Sequence, residues 1–213
     1  MVKFKWYGHS MWSVSTDDKN IIIDPFSDIG YSLPKNLTAD IVISSHDHHD
    51  HSNFKLLLPP FQKITQIGSY QIQDLRVKLI EASHGRFNGK NLGDIYMILL
   101  IIDGISILHC GDLGVIPNEE IIAEISDIDV LMVPIGGNYT LNAESAIEFT
   151  HLIKPKFVFP MHYKTDKVNI DIESMESFTE LVPELETINS NEFPITKDDL
   201  NKDKTRFIKL NYE

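Results

Sequence analysis

Short apolar runs in this chain keep ending on a histidine or an aspartate. Residues 21–23 stop at Asp24, and residues 40–44 run into the stretch HDHHDH at positions 46–51. His84 lies just beyond residues 75–81, Asp112 follows residues 105–108, and His162 follows residues 157–159. Each run has the length and β-branched character of a buried strand. Loops at strand ends are where open sheets place their ligands, so this recurrence points to a fold that gathers its polar loops along one edge.

The remaining elements fit that plan. Residues 11–15 and 21–23 flank a polar DDKN turn and read as a hairpin, which Asp24-Pro25 terminates. Asp103-Gly104 joins two more apolar runs, residues 95–102 and 105–108, in a second hairpin. Ser52 is placed to cap a short helix through Leu58, ended by Pro59-Pro60. Asn118 with Glu119 and Glu120 starts another helix, and residues 129–135 form a buried strand that runs into Gly136-Gly137-Asn138. Helices are expected over residues 143–153 and 174–181, with a last strand at 206–210. Hairpins first, then strands alternating with helices, describe an α/β sandwich. At 213 residues, one domain spanning 1–213 is the expectation.

Composition narrows the function. The chain has 19 Lys plus Arg against 31 Asp plus Glu, a formal charge of −12 that repels phosphate backbones and anionic lipid. Nucleic acid is therefore not expected as a partner. From Thr165 onward, acids outnumber bases twelve to six. The longest apolar stretch, 96–108, is broken by Asp103-Gly104 and falls short of the roughly 20 residues a membrane helix needs. The single cysteine, Cys110, suits a reducing compartment, and the opening MVKFKWYGHS has no signal-peptide core, so the cytoplasm is expected.

Neutral imidazole and carboxylate are ligands that zinc and similar divalent ions accept. Residues so close in sequence cannot all point at one ion. His46 and His48 can project one way from extended backbone, while Asp50 and His51 face a neighbouring position, which implies two metals. His84, Asp112 and His162 supply the further imidazoles and a carboxylate able to bridge.

A strand-end Asp24, then H-x-H-x-D-H at His46, His48, Asp50 and His51, then His84, Asp112 and His162 in that order resembles the metallo-β-lactamase superfamily. The resemblance spans residues 24–162. It implies a four-layer αβ/βα sandwich, with His46, His48 and His84 on one metal, Asp50, His51 and His162 on the other, Asp112 bridging, and Asp24 orienting a ligand. Gly8-His9-Ser10, His109-Cys110-Gly111-Asp112 and Pro160-Met161-His162-Tyr163 are similar to the compact branch that includes ascorbate-6-phosphate lactonase-like and N-acylphosphatidylethanolamine phospholipase-like proteins.

The resulting expectation is a hydrolase that uses a metal-bridging hydroxide on a small ester, lactone or phosphodiester, phosphorylated substrates included. Zinc is the first metal expected and manganese the second. The catalytic candidates are Asp50, to position or deprotonate the water, and His9, to donate a proton or hold the substrate. Asn138, Tyr139 and Lys164 are the candidate substrate contacts. His109 and Cys110 read as structural, His49 as facing solvent, and His151 as part of a helix face. The alternatives are a nuclease or phosphodiesterase acting on nucleic acid, and a metal-binding sensor without turnover. A homo-oligomer is compatible with the sequence.

Overall fold

A computed structural model describes residues 1–202 and 204–212. Two large sheets face each other across one apolar core. The first has six strands in the order Glu192–Ile195, Val2–Gly8, Met11–Ser15, Asn20–Ile23, Ile41–Ile43 and Gln62–Ile64. Its first four strands pair antiparallel and its last two join in parallel. The second has eight, in the order Glu186–Ile188, Arg206–Leu210, Phe157–Met161, Val130–Pro134, Ile105–His109, Asp94–Ile102, Leu75–Ser83 and Gly68–Ile72. It is parallel from Glu186–Ile188 to Ile105–His109 and antiparallel beyond.

The period-two alternation of strands decides which side chains meet in the middle. Ile21, Ile23, Ile41 and Ile43 point into the core between the sheets with Phe4, Trp6 and Val14. Ile22 and Val42 point the other way, into a second cluster with Met11, Phe26, Leu57, Val168 and Ile172. A one-residue slip in these strands would exchange the two sets, so the register is strongly specified.

The two expected hairpins form, with Asp103 and Gly104 both at positive φ in the second turn. Helix α1 is Glu119–Glu124, and Asn118 accepts from Ile121 N as its N-cap. Helix α2, Ala143–Ile153, is capped by Asn142 through Ser145 N. Helix α3 is Glu176–Leu181. These three α-helices of the described residues all lie with the eight-stranded sheet: α2 packs on Val130–Pro134 and α3, and Lys78 on that sheet pairs with Glu124 of α1.

The expected α/β sandwich stands, with its few helices gathered on the second sheet and not on the first. The outer face of the first sheet is covered by irregular segments carrying Phe26, Leu57, Val168 and Ile172. The helix expected from Ser52 to Leu58 is only a 3-10 turn at Phe54–Leu56, with a short strand at Leu57–Leu58. Ser52 spends its hydroxyl on Asp47 and on the His48 carbonyl instead of capping. No helix of the described residues is long and apolar enough to cross a membrane.

Candidate metal centre

The polar loops meet where the two sheets come together at one edge. Asp24, His46, His48, Asp50 and His51 lie beyond the ends of two parallel strands of the first sheet, and His9 follows its strand Val2–Gly8. His84, Asp112 and His162 come from the second sheet. His9, Asp24 and His162 each adopt a positive φ, between 49° and 52°. Non-glycine residues pay roughly 1–2 kcal/mol for that conformation, and such strain collects at functional sites.

Close backbone approach completes the edge. A Cβ on Gly136 would stand 2.1 Å from the His162 carbonyl oxygen, and one on Gly114 would stand 2.0 Å from that of His84. Only glycine fits at either position. The close neighbour of Gly136 is thus the backbone of His162.

Asp112 sits at the middle. Its Oδ2 lies 3.3 Å from His162 Nε2, 3.6 Å from His84 Nε2 and 4.0 Å from His46 Nε2. Its Oδ1 is 3.1 Å from His51 Nε2, yet neither of those two buried atoms forms a hydrogen bond. Donor atoms fall into three groups, each within 4.8 Å internally: His46, His48 and His84; His46, His51 and Asp112; and His9, His51 and His162. The first agrees with the set expected from sequence. In the third, His9 joins His51 and His162, a place that sequence reading did not give it.

The surroundings set which ring nitrogen each imidazole presents. His51 Nδ1 donates to Asp24 Oδ2 at 2.9 Å, and His84 Nδ1 donates to the Tyr139 carbonyl at 3.0 Å. Ser45 gives its hydroxyl proton to Asp24 Oδ2, so the contact between Ser45 Oγ and His46 Nδ1, 2.9 Å, has the imidazole as donor. In all three rings Nε2 then faces the centre. Ser45 N also donates to Asp24 Oδ1, at 2.7 Å, which fixes the carboxylate from both sides.

Burial and neighbouring charges tune the site. Burial and the adjacent His51 push His46 down to about 3, and burial with His162 beside it pushes His9 down to about 4. Burial works against charge on His51 too, but the Asp112 and Asp24 carboxylates overcome it and hold this imidazole well above its ordinary value. Asp112 is held well below the usual carboxylate range: burial opposes this and His162 with His51 prevail. Asp50 is likewise lowered against its burial, by His9 and His51. Five of the seven buried side-chain atoms without a hydrogen bond among the described residues belong here: both nitrogens of His9, His51 Nε2, Asp112 Oδ1 and His162 Nδ1. Buried polar atoms left unpaired are rare and costly, and divalent cations are partners this donor set fits.

A cavity of about 370 Å³ opens onto the centre, lined by His48, His49, Asp50, His84, Asp112 and His162 with Leu92, Tyr139 and Ile170. Sequence reading missed Leu92 and Ile170, since single apolar residues in polar stretches carry no periodic signal. Of the expected substrate contacts, only Tyr139 lines this cavity. Lys164 donates from Nζ to the carbonyls of Val168 and Ile170, and Asn138 donates to that of Asp171. Both hold the segment bearing Ile170 in place. A larger groove of about 630 Å³ beside Tyr163 and Tyr212 contains none of the donors.

His109 is structural, as expected: its Nε2 bonds the Ser10 carbonyl at 2.9 Å and its Nδ1 accepts from Gly111 N at 3.1 Å. Burial raises the Cys110 thiol, which is fully enclosed. His49 and His151 are exposed.

Comparison with known proteins agrees with this geometry. The family model described as a beta-lactamase superfamily domain matches residues 3–162. A UPF0173 metal-dependent hydrolase of Carboxydothermus hydrogenoformans is 30% identical over 193 residues, covering 77% of this chain and 85% of that protein. Another from Bacillus velezensis is 31% identical over 219 residues, covering 85% and 93%. A crystal structure of a Thermotoga maritima protein, a candidate Zn-dependent hydrolase of the metallo-beta-lactamase superfamily, superposes with a TM-score of 0.81 at 28% identity, covering 99% of this chain and all of that one. Sequence, fold and the placement of the histidine and aspartate donors thus agree that the chain belongs to the metallo-β-lactamase superfamily and is a metal-dependent hydrolase.

Proposed function

We propose that the protein is a dinuclear hydrolase of small, neutral esters or lactones, with small phosphodiesters as the second class of substrate. Zinc is the favoured metal and manganese the alternative. The observation that carries the reading is the position of Asp112, whose one carboxylate reaches His46, His84, His51 and His162 at once. His46, His48 and His84 would hold one ion, Asp50, His51 and His162 the other, and Asp112 would reach both. Two divalent ions there would supply a water activated at neutral pH and a Lewis acid for the bond that breaks.

The chain's own residues do the rest. Asp50 keeps an ionised carboxylate on the cavity wall, where it can orient the attacking water and take its proton. Leu92, Tyr139 and Ile170 form an apolar wall that excludes bulk water and fits an uncharged flank of the substrate. No lysine or arginine is among the described residues lining the cavity, which favours a neutral substrate over a phosphorylated one. The net charge of −12 supports a small molecule over a polynucleotide. The single cysteine and the absence of a membrane-crossing helix among the described residues fit a cytoplasmic location.

The test is to strip the protein with a chelator, reload zinc or manganese, and assay carboxylic esters, lactones and bis(p-nitrophenyl) phosphate. Two ions per chain and turnover that Asp112→Asn abolishes are expected, with neutral esters or lactones fastest. One ion per chain at saturation overturns the dinuclear reading. Turnover confined to polynucleotides, falling steeply with salt, overturns the substrate class.

A further inference from the structure

We propose that His9 is a metal ligand, its imidazole joining those of His51 and His162 around the second ion. The inference rests on the dinuclear reading above and changes the role expected for His9 from sequence, that of a proton donor or substrate contact.

The argument begins with hydrogen bonding. His9 is fully buried, and neither of its ring nitrogens has a hydrogen-bond partner. An imidazole always carries at least one N–H, and when neutral it also carries a lone pair, so a purely structural role would leave both unpaired in the interior. The protein contains its own comparison. His109 is equally buried and has both nitrogens satisfied, by the Ser10 carbonyl and by Gly111 N. His109 is what a structural histidine looks like in this core, and His9 does not match it.

Position identifies the missing partner. The donor atoms of His9, His51 and His162 lie within 4.8 Å of one another, and all three residues are buried. The His9 and His162 rings are 4.0 Å apart between centroids, and His9 Nε2 stands 3.4 Å from Asp50 Oδ2 without bonding it. Zinc bonds imidazole nitrogen at about 2.0–2.1 Å, so donors grouped this tightly need only small rotations to share an ion.

The backbone holds the arrangement. His9 has φ +51°, and its carbonyl accepts from Trp6 Nε1 at 3.0 Å and from His162 N at 3.2 Å. The last bond ties the two imidazole-bearing segments, one from each sheet, directly to each other.

The rival roles fit less well. A general acid must reach the reacting atoms and a substrate contact must face the cavity. His9 is absent from the cavity lining, whereas Asp50 and His162, which stand beside it, are both on that wall. The ring therefore meets the ligand group and not the substrate.

The experiment loads chelator-stripped protein with Co(II) and compares wild type, His9→Ala, His9→Gln and His151→Ala, an exposed control on helix α2 away from the donors. Stoichiometry, dissociation constants from chelator competition and the visible d–d absorption are recorded; none of these depends on turnover. Expected is a wild type with two Co(II), and His9 variants whose second Co(II) binds at least about 100-fold more weakly, the upper end of what loss of an outer partner costs. Their d–d band should change while the first Co(II) and the His151→Ala protein keep wild-type behaviour. Second-site affinity within threefold of wild type and an unchanged band in a folded His9→Gln protein would overturn the proposal. If wild type binds one Co(II), the dinuclear reading falls, and His9 stands or falls on whether His9→Gln weakens that ion. Should neither variant fold, a crystal structure of the zinc-loaded wild type decides: Nε2 or Nδ1 of His9 at bonding distance supports the proposal, and both nitrogens beyond 3 Å overturn it.

Discussion

Asp24 receives the Nδ1 proton of His51 across 2.9 Å, and both residues are completely buried. The carboxylate is itself fixed by Ser45 through its amide and its hydroxyl. His51 therefore has one orientation available, with Nε2 turned to Asp112. Replacing Asp24 by Asn keeps the volume and removes the charge that favours this arrangement. Metal affinity should fall by about 10- to 100-fold, the usual consequence of losing the partner behind a ligand histidine. Competition with a chromogenic chelator measures it, and an affinity equal to wild type would show that Asp24 does not position His51.

Proton release on metal binding follows from the raised pKa of His51. Below that pKa the metal-free ring is cationic, so an entering ion must displace its proton, and affinity must rise with pH through neutrality. Calorimetry in buffers of differing ionisation enthalpy should record net proton release at pH 7. Binding without proton release there would contradict the assignment of charge to His51.

Stability of the metal-free protein should also fall on acidification. His9 and His46 have folded values of about 4 and about 3 against an ordinary 6.5, so the unfolded chain takes up protons first as pH falls. Stability from these two rings is present above pH 6.5 and is lost from there down toward pH 4, by at most about 1.4 kcal/mol per pH unit for each ring. Thermal melting of the stripped protein between pH 7 and 4 tests the sign. A Tm that holds constant or rises over that range refutes it.

Gly136→Ala should disturb the site without touching a donor. The new Cβ would meet the His162 carbonyl at 2.1 Å, so one backbone must move. A loss on the order of 3 kcal/mol is expected, as for other overpacked positions, together with weaker binding at the ion held by His162. Denaturant melts and metal titration of the same variant check both. An unperturbed titration would mean that the shift is absorbed away from His162.

Phe87 offers a change confined to the substrate side. Its ring packs 4.5 Å from that of Tyr139, which lines the cavity and whose carbonyl holds His84. Phe87→Ala should raise KM several-fold, in line with the roughly 0.5–1.5 kcal/mol of an aromatic pair, and leave metal content intact. Unchanged KM on the best substrate would remove the hairpin at Arg86–Asn91 from the binding site.

Most donors were legible because each terminates an apolar run, and an apolar run is the strongest signal a single sequence carries. Asp24, His84, Asp112 and His162 were found that way, and HDHHDH by its density. What stayed hidden depends on distances between segments. Lys164 looks like an anion trap until its ammonium is seen on the carbonyls of Val168 and Ile170. Asn138 is separated from Asp171 by 33 positions, and no local pattern relates them. The helix expected at Ser52 failed because Asp47, five residues back, competes for the same hydroxyl. His9 was visible only through the resemblance of Gly8-His9-Ser10, and its two unpaired nitrogens exist only once the second sheet is in place.

The division of the donors between the two sheets has a mechanical meaning. Six of the polar residues at this edge, His9, Asp24, His46, His48, Asp50 and His51, follow strands of the first sheet, and His84, Asp112 and His162 follow strands of the second. Ions held there would act as a clasp across the seam, so that one sheet could not slide past the other without opening it. Cohesion of the whole sandwich and readiness for chemistry would then be the same event, and a chain that lost its clasp would loosen first along the line where it works.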